Sequence, residues 1–385
     1  ATRSRGCFPV RQPSLASGAA TITGQAMTQT LPGSLRIAAT ALIAAGLACA
    51  TSSDAQVRAP AEGTQGMVSS AHPLATDAGL RILQAGGNAF DAAVATAAAL
   101  NVVESALSGM GGYGTILVYD ARQGRVRFLN PSGRMPASLD SDVFRAPTPN
   151  YEENRRGAKA VSTPGNVLAW EAMWEEYGRL EWATLFEDAI RLAEGGYVLS
   201  ASDAGSIRWG FDDFPDHAKA FYGRDGRPLG PGNRLVQSDL ATSLRQVALE
   251  GASALHGGSI GAAIDAAMRD AGGFLSLEDL TSNEAEWWEP VSITYRGYKI
   301  VVASPPANSW PALVRLGMMG QFDVKALGHN TVEFLHRYAE VTKHAFWTRL
   351  RWAGDPEVMP PPLEELLSQE YWSRQVGMIE PDRAA

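Results

Sequence analysis

The stretch "ILQAGGNAFDAAVATAAAL", from Ile82 to Leu100, is the part of the sequence that is most informative about the fold. Apolar residues at helical spacing predict a helix from Pro73 to Gln84, and the glycine pair that follows it provides the stop. A second helix begins next to Asn88, a plausible N-cap, and it is apolar on almost every side. At about 16 residues it is too short to cross a membrane, so we predict a helix buried at the centre of a globular domain.

A glycine-rich loop follows this helix in the stretch "SGMGGYGTILVYD", Ser108 to Asp120. Gly109, Gly111 and Gly114 have the G-x-G-x-x-G spacing of a dinucleotide-binding loop. In such a site a strand precedes the glycines and a helix follows them, so that the helix N-terminus faces the pyrophosphate. Here the order is reversed, and phosphate would meet the negative end of a helix dipole. We therefore predict, rather than a nucleotide site, a tight turn that lets backbone approach backbone or that leaves amide groups facing a pocket.

Strands and further helices are predicted along the rest of the chain. "TILVYD" and "VRFLN" indicate an antiparallel hairpin, and "VSITYRGYKIVVAS" indicates two more strands. Amphipathic patterns closed by glycine predict four helices, in "NVLAWEAMWEEYG", "WATLFEDAIRLAEGG", "SDLATSLRQVALEGA" and "GSIGAAIDAAMRDAGG". A long helix is predicted from Asn330 to Trp352, followed by a Pro-rich turn, one helix and a polar tail.

The composition limits the classes of partner and cofactor. The 385 residues are 45% hydrophobic and 19% charged, which is typical of a large globular core. The net charge is -8, and the chain after residue 55 is more acidic still, which argues against nucleic acid and anionic membranes as partners. Both cysteines, Cys7 and Cys49, lie in the N-terminal segment, so the body has no disulfide or thiolate metal site. We expect neither a metal nor a cofactor.

The N-terminal segment has the pattern of an export signal. Residues 27–55 contain the basic Arg36, an apolar run from Ile37 to Ala48 that is too short for a membrane span, and a small-residue cleavage pattern from Ser53 to Ala55. They predict a signal peptide, and a disordered or core-packing tail is the alternative.

This interpretation divides the chain into three segments. Residues 1–26 stay unassigned, as upstream or fragment sequence, and residues 56–385 form the mature chain. A cleaved signal places that chain in the periplasm or outside the cell, and lipid attachment to Cys49 stays open.

Histidines in the long predicted helix suggest a metal site that its geometry does not support. His336, Glu340 and His344 share one helix face, but the two histidines would be about 12 Å apart along the axis, too far for one ion. We therefore predict packing or surface histidines and no metal site. His72, just before Pro73, is predicted to have a structural role at a helix start.

An arginine follows the predicted hairpin in the stretch "NPSGRMP", Asn130 to Pro136. Arg134 lies there in a turn bounded by glycine and proline. Its guanidinium could bind a substrate carboxylate through two hydrogen bonds. A solvated surface charge is the alternative, and the local sequence does not decide between them.

The order of these motifs resembles the γ-glutamyltranspeptidase family of N-terminal nucleophile hydrolases. The resemblance runs from Gly66 to the C-terminus, and its most specific parts are "ILQAGGNAFDAAVATAAAL" with the glycine loop after it, "YRGYKIVVASPP" and "ALGHNTVEFLHRYAEVTKHAF". It implies an α+β fold, the αββα sandwich of that superfamily, of which this chain supplies the large-subunit part. It also implies a precursor that cuts itself in front of a Thr soon after residue 385, releasing a small subunit as partner.

The chemistry implied by the resemblance is acyl transfer. The freed Thr attacks a γ-glutamyl amide, its own amine acts as the base, and the resulting ester passes the glutamyl group to water or an amino acid. No catalytic residue is then expected in this chain, which would contribute substrate binding. The Gly111–Gly112 turn is expected to pack beside the wall of the site.

Two departures from the family pattern concern the shape of the substrate. In the family a D-x-R-E-x-A-P pattern after the hairpin supplies an Arg that binds the α-carboxylate of the glutamyl group. Ser132 occupies that position here, Gly133 follows it, and Arg134 is displaced by two residues, about 6.5 Å along an extended chain. "PPANSWP" likewise replaces a later P-P-x-x-S-G-G pattern.

The primary hypothesis is a γ-glutamyltransferase or glutathione hydrolase with Ser132 and Arg134 in its substrate pocket. A same-fold acylase that cleaves a non-glutamyl amide, such as a β-lactam side chain or another small amide, is one alternative. A non-catalytic homologue that kept the fold and lost the nucleophile is the other.

Overall fold

The computed structural model describes residues 60–140, 142–145 and 151–384. The predicted signal peptide at 27–55, with Cys49, and the segment 1–26 lie outside the described residues. From Gly63 onward the chain forms one compact unit that contains two hydrophobic cores. Within the described part of the chain, no helix is both long and apolar enough to cross a membrane.

Helix α2, Ala89–Val103, lies at the centre of the first core and follows helix α1, Pro73–Gln84. Ten of its residues are buried, because its apolar side chains cover nearly the whole circumference. A capping box begins it: the Asn88 side chain accepts from the backbone N–H groups of Phe90 and Asp91, at 2.8 and 3.1 Å. The predicted buried central helix is confirmed.

A three-stranded antiparallel sheet contains strands β1, Ile116–Asp120, and β2, Arg125–Asn130, which form the predicted hairpin. Later in the chain, β7, Glu286–Trp288, pairs with β2 at the outer edge, giving the order β1-β2-β7. The register places Asn130 opposite Glu286. The end of β2 therefore lies beside a carboxylate that is distant in sequence.

Further helices and short strands lie between β2 and β7 in the chain. The helices are α3, Asn166–Tyr177; α4, Glu187–Gly195; α5, Ala201–Gly210; α6, Asp216–Tyr222; α7, Ser238–Glu250; α8, Ser259–Asp270; and α9, Leu277–Ser282. Two-residue strands form two small antiparallel pairs: β3, Tyr197–Val198, with β6, Arg234–Leu235, and β4, Gly223–Arg224, with β5, Arg227–Pro228.

One predicted helix in this region divides in two. "WATLFEDAIRLAEGG" forms a 3₁₀ helix, Trp182–Phe186, before α4 begins. The Trp182 indole is buried and donates to the carbonyl of Val247 at 2.9 Å. We attribute the tighter first turn to this tertiary contact, which periodicity alone does not reveal.

The second core is formed by the chain after β7. Its elements are β8, Val291–Tyr295; β9, Tyr298–Val302; α10, Trp310–Met319; α11, Val324–Leu327; α12, Val332–Trp352; α13, Leu363–Leu366; and α14, Gln369–Val376. The β8–β9 hairpin is confirmed. The long helix begins at Val332 rather than Asn330, because Thr331 caps it and Asn330 has a positive φ of 56°.

One further expectation for this part of the chain was wrong, because the single predicted C-terminal helix is two short ones, α13 and α14. The "PPANSWP" stretch leads into α10, for which the sequence analysis made no prediction. Trp310 begins that helix with Pro311 at its first turn, where a missing N–H costs nothing, and the indole is buried in the second core.

Candidate substrate-binding cavity

A cavity of about 500 Å³ lies at the end of β2. It is lined by residues of the segments 130–135, 282–288 and 354–357, together with Pro306. Its volume is in the range of small-molecule sites. Ser132 and Arg134, the two substrate-binding residues expected from the sequence, both line it.

The cavity wall depends on a close crossing of two backbone segments. A Cβ at Gly133 would overlap the carbonyl of Thr163, and one at Gly165 would overlap the carbonyl of Pro131. Thr163 joins the segments further, since its hydroxyl donates to the carbonyl of Arg134 at 2.8 Å. Two glycines thus allow an approach that positions the loop carrying Ser132 and Arg134.

Two buried side-chain amides, those of Asn130 and Asn283, stabilise the two backbone segments that cross here. Asn130, at the end of β2, accepts from the backbone N–H of Ser132 at 3.1 Å. Asn283 donates to the carbonyl of Pro164 at 2.9 Å. Both side chains line the cavity and are almost fully buried. Because both hydrogen bonds are made to backbone groups, they fix the course of the chain in the cavity wall.

Arg134 is partly exposed and its guanidinium already contacts two carboxylates. It donates to the two carboxylate oxygens of Glu357 at 2.9 and 3.2 Å and to Glu286 at 3.4 Å. The hydrogen bond with Glu357 is the main cause that raises the pKa of Arg134 above its ordinary value. The same bond lowers the pKa of the Glu357 carboxyl.

The charge balance of the cavity is acidic. Its lining includes four carboxylates, Glu284, Glu286, Asp355 and Glu357. Among the described residues that line it, Arg134 is the one basic side chain. A substrate carboxylate that binds Arg134 would therefore have to compete with carboxylates of the protein itself.

The Gly111–Gly112 turn lies one layer behind this wall. The carbonyl of Gly112 accepts from the backbone N–H groups of Gly165 and Asn166 at 3.0 and 3.1 Å. The Asn166 side chain donates to the carbonyl of Gly109 at 2.9 Å. The turn thus supports the Thr163–Asn166 segment that crosses the Ser132 loop, and its own residues do not line this cavity.

The histidines considered as metal ligands contact protein groups. His336 bonds through Nε2 to the carbonyl of Glu380 at 2.8 Å, and His344 through Nδ1 to Gln375 at 3.0 Å. Glu340 is buried and pairs with Lys343. In the described ranges, no group of three or more His, Cys, Asp or Glu side chains is arranged to hold a metal ion.

His72 has the structural role expected of it. Its Nδ1 accepts from the backbone N–H of Leu74 at 3.2 Å, so the side chain caps α1. The ring lies edge-on to Tyr197 and its Nε2 is 3.9 Å from Asp203. Both partners share with it the lining of a second, mostly apolar cavity of about 1050 Å³.

Sequence reasoning did not identify Glu286, Asn283 or Glu357 as part of the site. The aromatic pair after Glu286 is a weak strand signal, but a three-residue strand is too short to predict from periodicity. Glu357 is 223 positions from Arg134 in the sequence, and no local pattern connects the two residues.

Comparisons with known proteins assign this fold to the N-terminal nucleophile hydrolases. The chain is similar to the crystal structure of Helicobacter pylori γ-glutamyltranspeptidase with a TM-score of 0.81 and 32% identity. That match covers 85% of this chain and 95% of the other. It confirms the predicted fold class and the resemblance to a large subunit.

The sequence comparisons agree with this assignment. A profile of the family described as Gamma-glutamyltranspeptidase matches residues 75–385, and the chain belongs to that family. An acylase ACY 1 proenzyme of Pseudomonas sp. strain SE83 is 35% identical over 338 residues, 84% of this chain and 60% of the relative. A glutathione hydrolase-like YwrD proenzyme of Bacillus subtilis is 35% identical over 313 residues, 80% of this chain and 59% of the relative. The chain thus spans about three-fifths of the length of these relatives.

Proposed function

We propose that this chain is the large subunit of a self-processing enzyme that cleaves an amide and transfers its acyl group. The catalytic residue would be an N-terminal Thr of a small subunit, encoded beyond the present sequence. Its Oγ attacks the amide carbonyl, and its α-amine takes the hydroxyl proton and passes it to the leaving amine. Water or an amino acid then attacks the ester. Membership of the family and proenzyme relatives support this proposal.

The primary substrate hypothesis is a γ-glutamyl amide such as glutathione. The observation that carries it is the position of Arg134, which lines the cavity at the end of β2 with Ser132 beside it. An arginine there can bind the α-carboxylate of a glutamyl group through two hydrogen bonds. The protein would act in the periplasm or outside the cell if the segment at 27–55 is a signal peptide.

A second substrate class is favoured by a specific contact. The Glu357 carboxylate already accepts from both terminal nitrogens of Arg134, Nη1 and Nη2, so a substrate carboxylate would have to displace it. An acyl group without that carboxylate, as in a β-lactam side-chain amide, would leave the ion pair in place. The similarity to an acylase proenzyme is in line with this class.

The substitution Arg134→Ala separates these two substrate classes in the processed full-length protein. If Arg134 binds the glutamyl carboxylate, kcat/KM for γ-glutamyl-p-nitroanilide falls about ten- to hundredfold, the effect of losing a charged hydrogen bond. Arg156→Ala is the matched control, because Arg156 is equally exposed and pairs with Asp213 away from the cavity.

Two outcomes would count against the primary hypothesis. Unchanged γ-glutamyl hydrolysis in Arg134→Ala removes this residue as the carboxylate clamp. A wild-type precursor that stays as one band on a denaturing gel, without processing, would favour a non-catalytic homologue.

A further inference from the structure

Arg134 binds the Glu357 carboxylate in the geometry in which an arginine binds a substrate carboxylate. The Glu357 carboxylate accepts from two guanidinium nitrogens, at 2.9 and 3.2 Å. Two such bonds in parallel are the arrangement by which an arginine recognises a substrate carboxylate. A carboxylate of the protein thus occupies the position that a carboxylate of the substrate would need.

We propose that Glu357 is an internal competitor for Arg134 and sets how strongly the enzyme discriminates between acyl groups with and without a carboxylate. This inference rests on the proposed function of the cavity. A carboxylate-bearing acyl group binds after it displaces Glu357 from the guanidinium. An acyl group that lacks the carboxylate binds with the ion pair intact.

The surroundings of Glu357 allow a substrate carboxylate to replace it at the Arg134 guanidinium. Both partners are half exposed, with 60% of the Arg134 side chain and 56% of the Glu357 side chain accessible, so the ion pair is weak enough to open. Glu286 is a second carboxylate 3.4 Å from the guanidinium and holds Arg134 near the cavity when Glu357 leaves. The arginine is thus held in place without depending on Glu357.

Two matched substrates measure the discrimination. γ-Glutamyl-p-nitroanilide and 4-aminobutanoyl-p-nitroanilide have the same chain and amine, and only the former has the α-carboxylate. In the processed full-length protein, Glu357→Gln should raise kcat/KM for the γ-glutamyl substrate about three- to fivefold, mainly through a lower KM, since an exposed pair contributes modestly. The ratio of this value to the value for the 4-aminobutanoyl substrate should rise by a similar factor, because the 4-aminobutanoyl group has no α-carboxylate that competes with Glu357 for Arg134.

Two further variants identify the cause of the shift. Glu365→Gln is the matched control, because Glu365 is similarly exposed and pairs with Arg374 outside the cavity. In the Arg134→Ala background, the substitution Glu357→Gln should no longer change the ratio between the two substrates. A ratio that is the same in Glu357→Gln and wild type, or that shifts equally without Arg134, would overturn the inference.

Calorimetric titration with L-glutamate and with 4-aminobutanoate keeps this test independent of turnover. Tighter binding of L-glutamate alone in Glu357→Gln supports the competitor role even if no amide is cleaved, and unchanged binding of both overturns it. Failure of the wild-type protein to cleave either anilide would overturn the proposed function and not the role of Glu357.

Discussion

The smallest features of the site are two glycines at which the backbone segments 130–134 and 163–165 cross. We expect Gly133→Ala to lower the free energy of unfolding by about 1–3 kcal/mol, because the methyl group would overlap the carbonyl of Thr163 and the loop would have to move. Urea denaturation of the full protein measures the change. The displaced loop should also weaken substrate binding, because it carries Ser132 and Arg134.

Gly111→Ala is the control for Gly133→Ala. A Cβ at Gly111 meets no atom within 4 Å, so the change in the free energy of unfolding should stay within about 0.5 kcal/mol. Equal destabilisation by the two substitutions would contradict the importance of the crossing.

At the scale of an element, the start of α2 is bonded both to its own first turn and to the end of α3. Asn88 caps the helix and also donates to the carbonyl of Tyr177 at 2.6 Å, at the end of α3. Asn88→Ala should therefore destabilise the protein by about 1–2 kcal/mol, the upper part of the range for an N-cap. Thermal denaturation monitored by circular dichroism measures the effect.

Thr331 provides the comparison for this prediction. It caps α12 through a bond from the backbone N–H of Phe334, in an exposed position. Thr331→Ala should cost less than Asn88→Ala, and the reverse order would show that the link between α2 and α3 contributes little.

At the scale of the whole molecule, we expect a buried histidine, His256, to make the stability of the fold depend on pH. His256 Nδ1 donates to the carbonyl of Leu280 at 2.9 Å, which leaves Nε2 unprotonated in the neutral ring. Burial lowers the pKa of His256 below its ordinary value of 6.5. Below that pH the unfolded chain takes up a proton that the folded protein resists, so stability is lost as the pH falls.

We predict that the free energy of unfolding decreases between pH 6.5 and 5 by up to about 1.4 kcal/mol per pH unit from this group. His256→Gln should flatten that dependence, since glutamine does not titrate. His217→Gln, at an exposed histidine, should leave it unchanged. A slope that is the same in His256→Gln and wild type would show that other groups cause the loss.

The amino-acid sequence by itself determined the central helices, the β1–β2 hairpin and the family of this protein. Asn88, the glycine pair before it and the apolar run after it are local signals, and local signals need no knowledge of distant partners. The position of Arg134 directly after a predicted strand is likewise a local signal. Its presence in a cavity with Ser132 followed from the resemblance and agrees with the structure.

Only the tertiary structure decided what surrounds Arg134. Glu286 reaches it through the pairing of β7 with β2, and Glu357 through the return of the chain after α12. Such contacts depend on how elements far apart in sequence pack, because a side chain's electrostatic environment is set by distance in space and not by spacing along the chain. The competition of carboxylates for the Arg134 guanidinium therefore depends on tertiary packing, and the sequence alone does not reveal it.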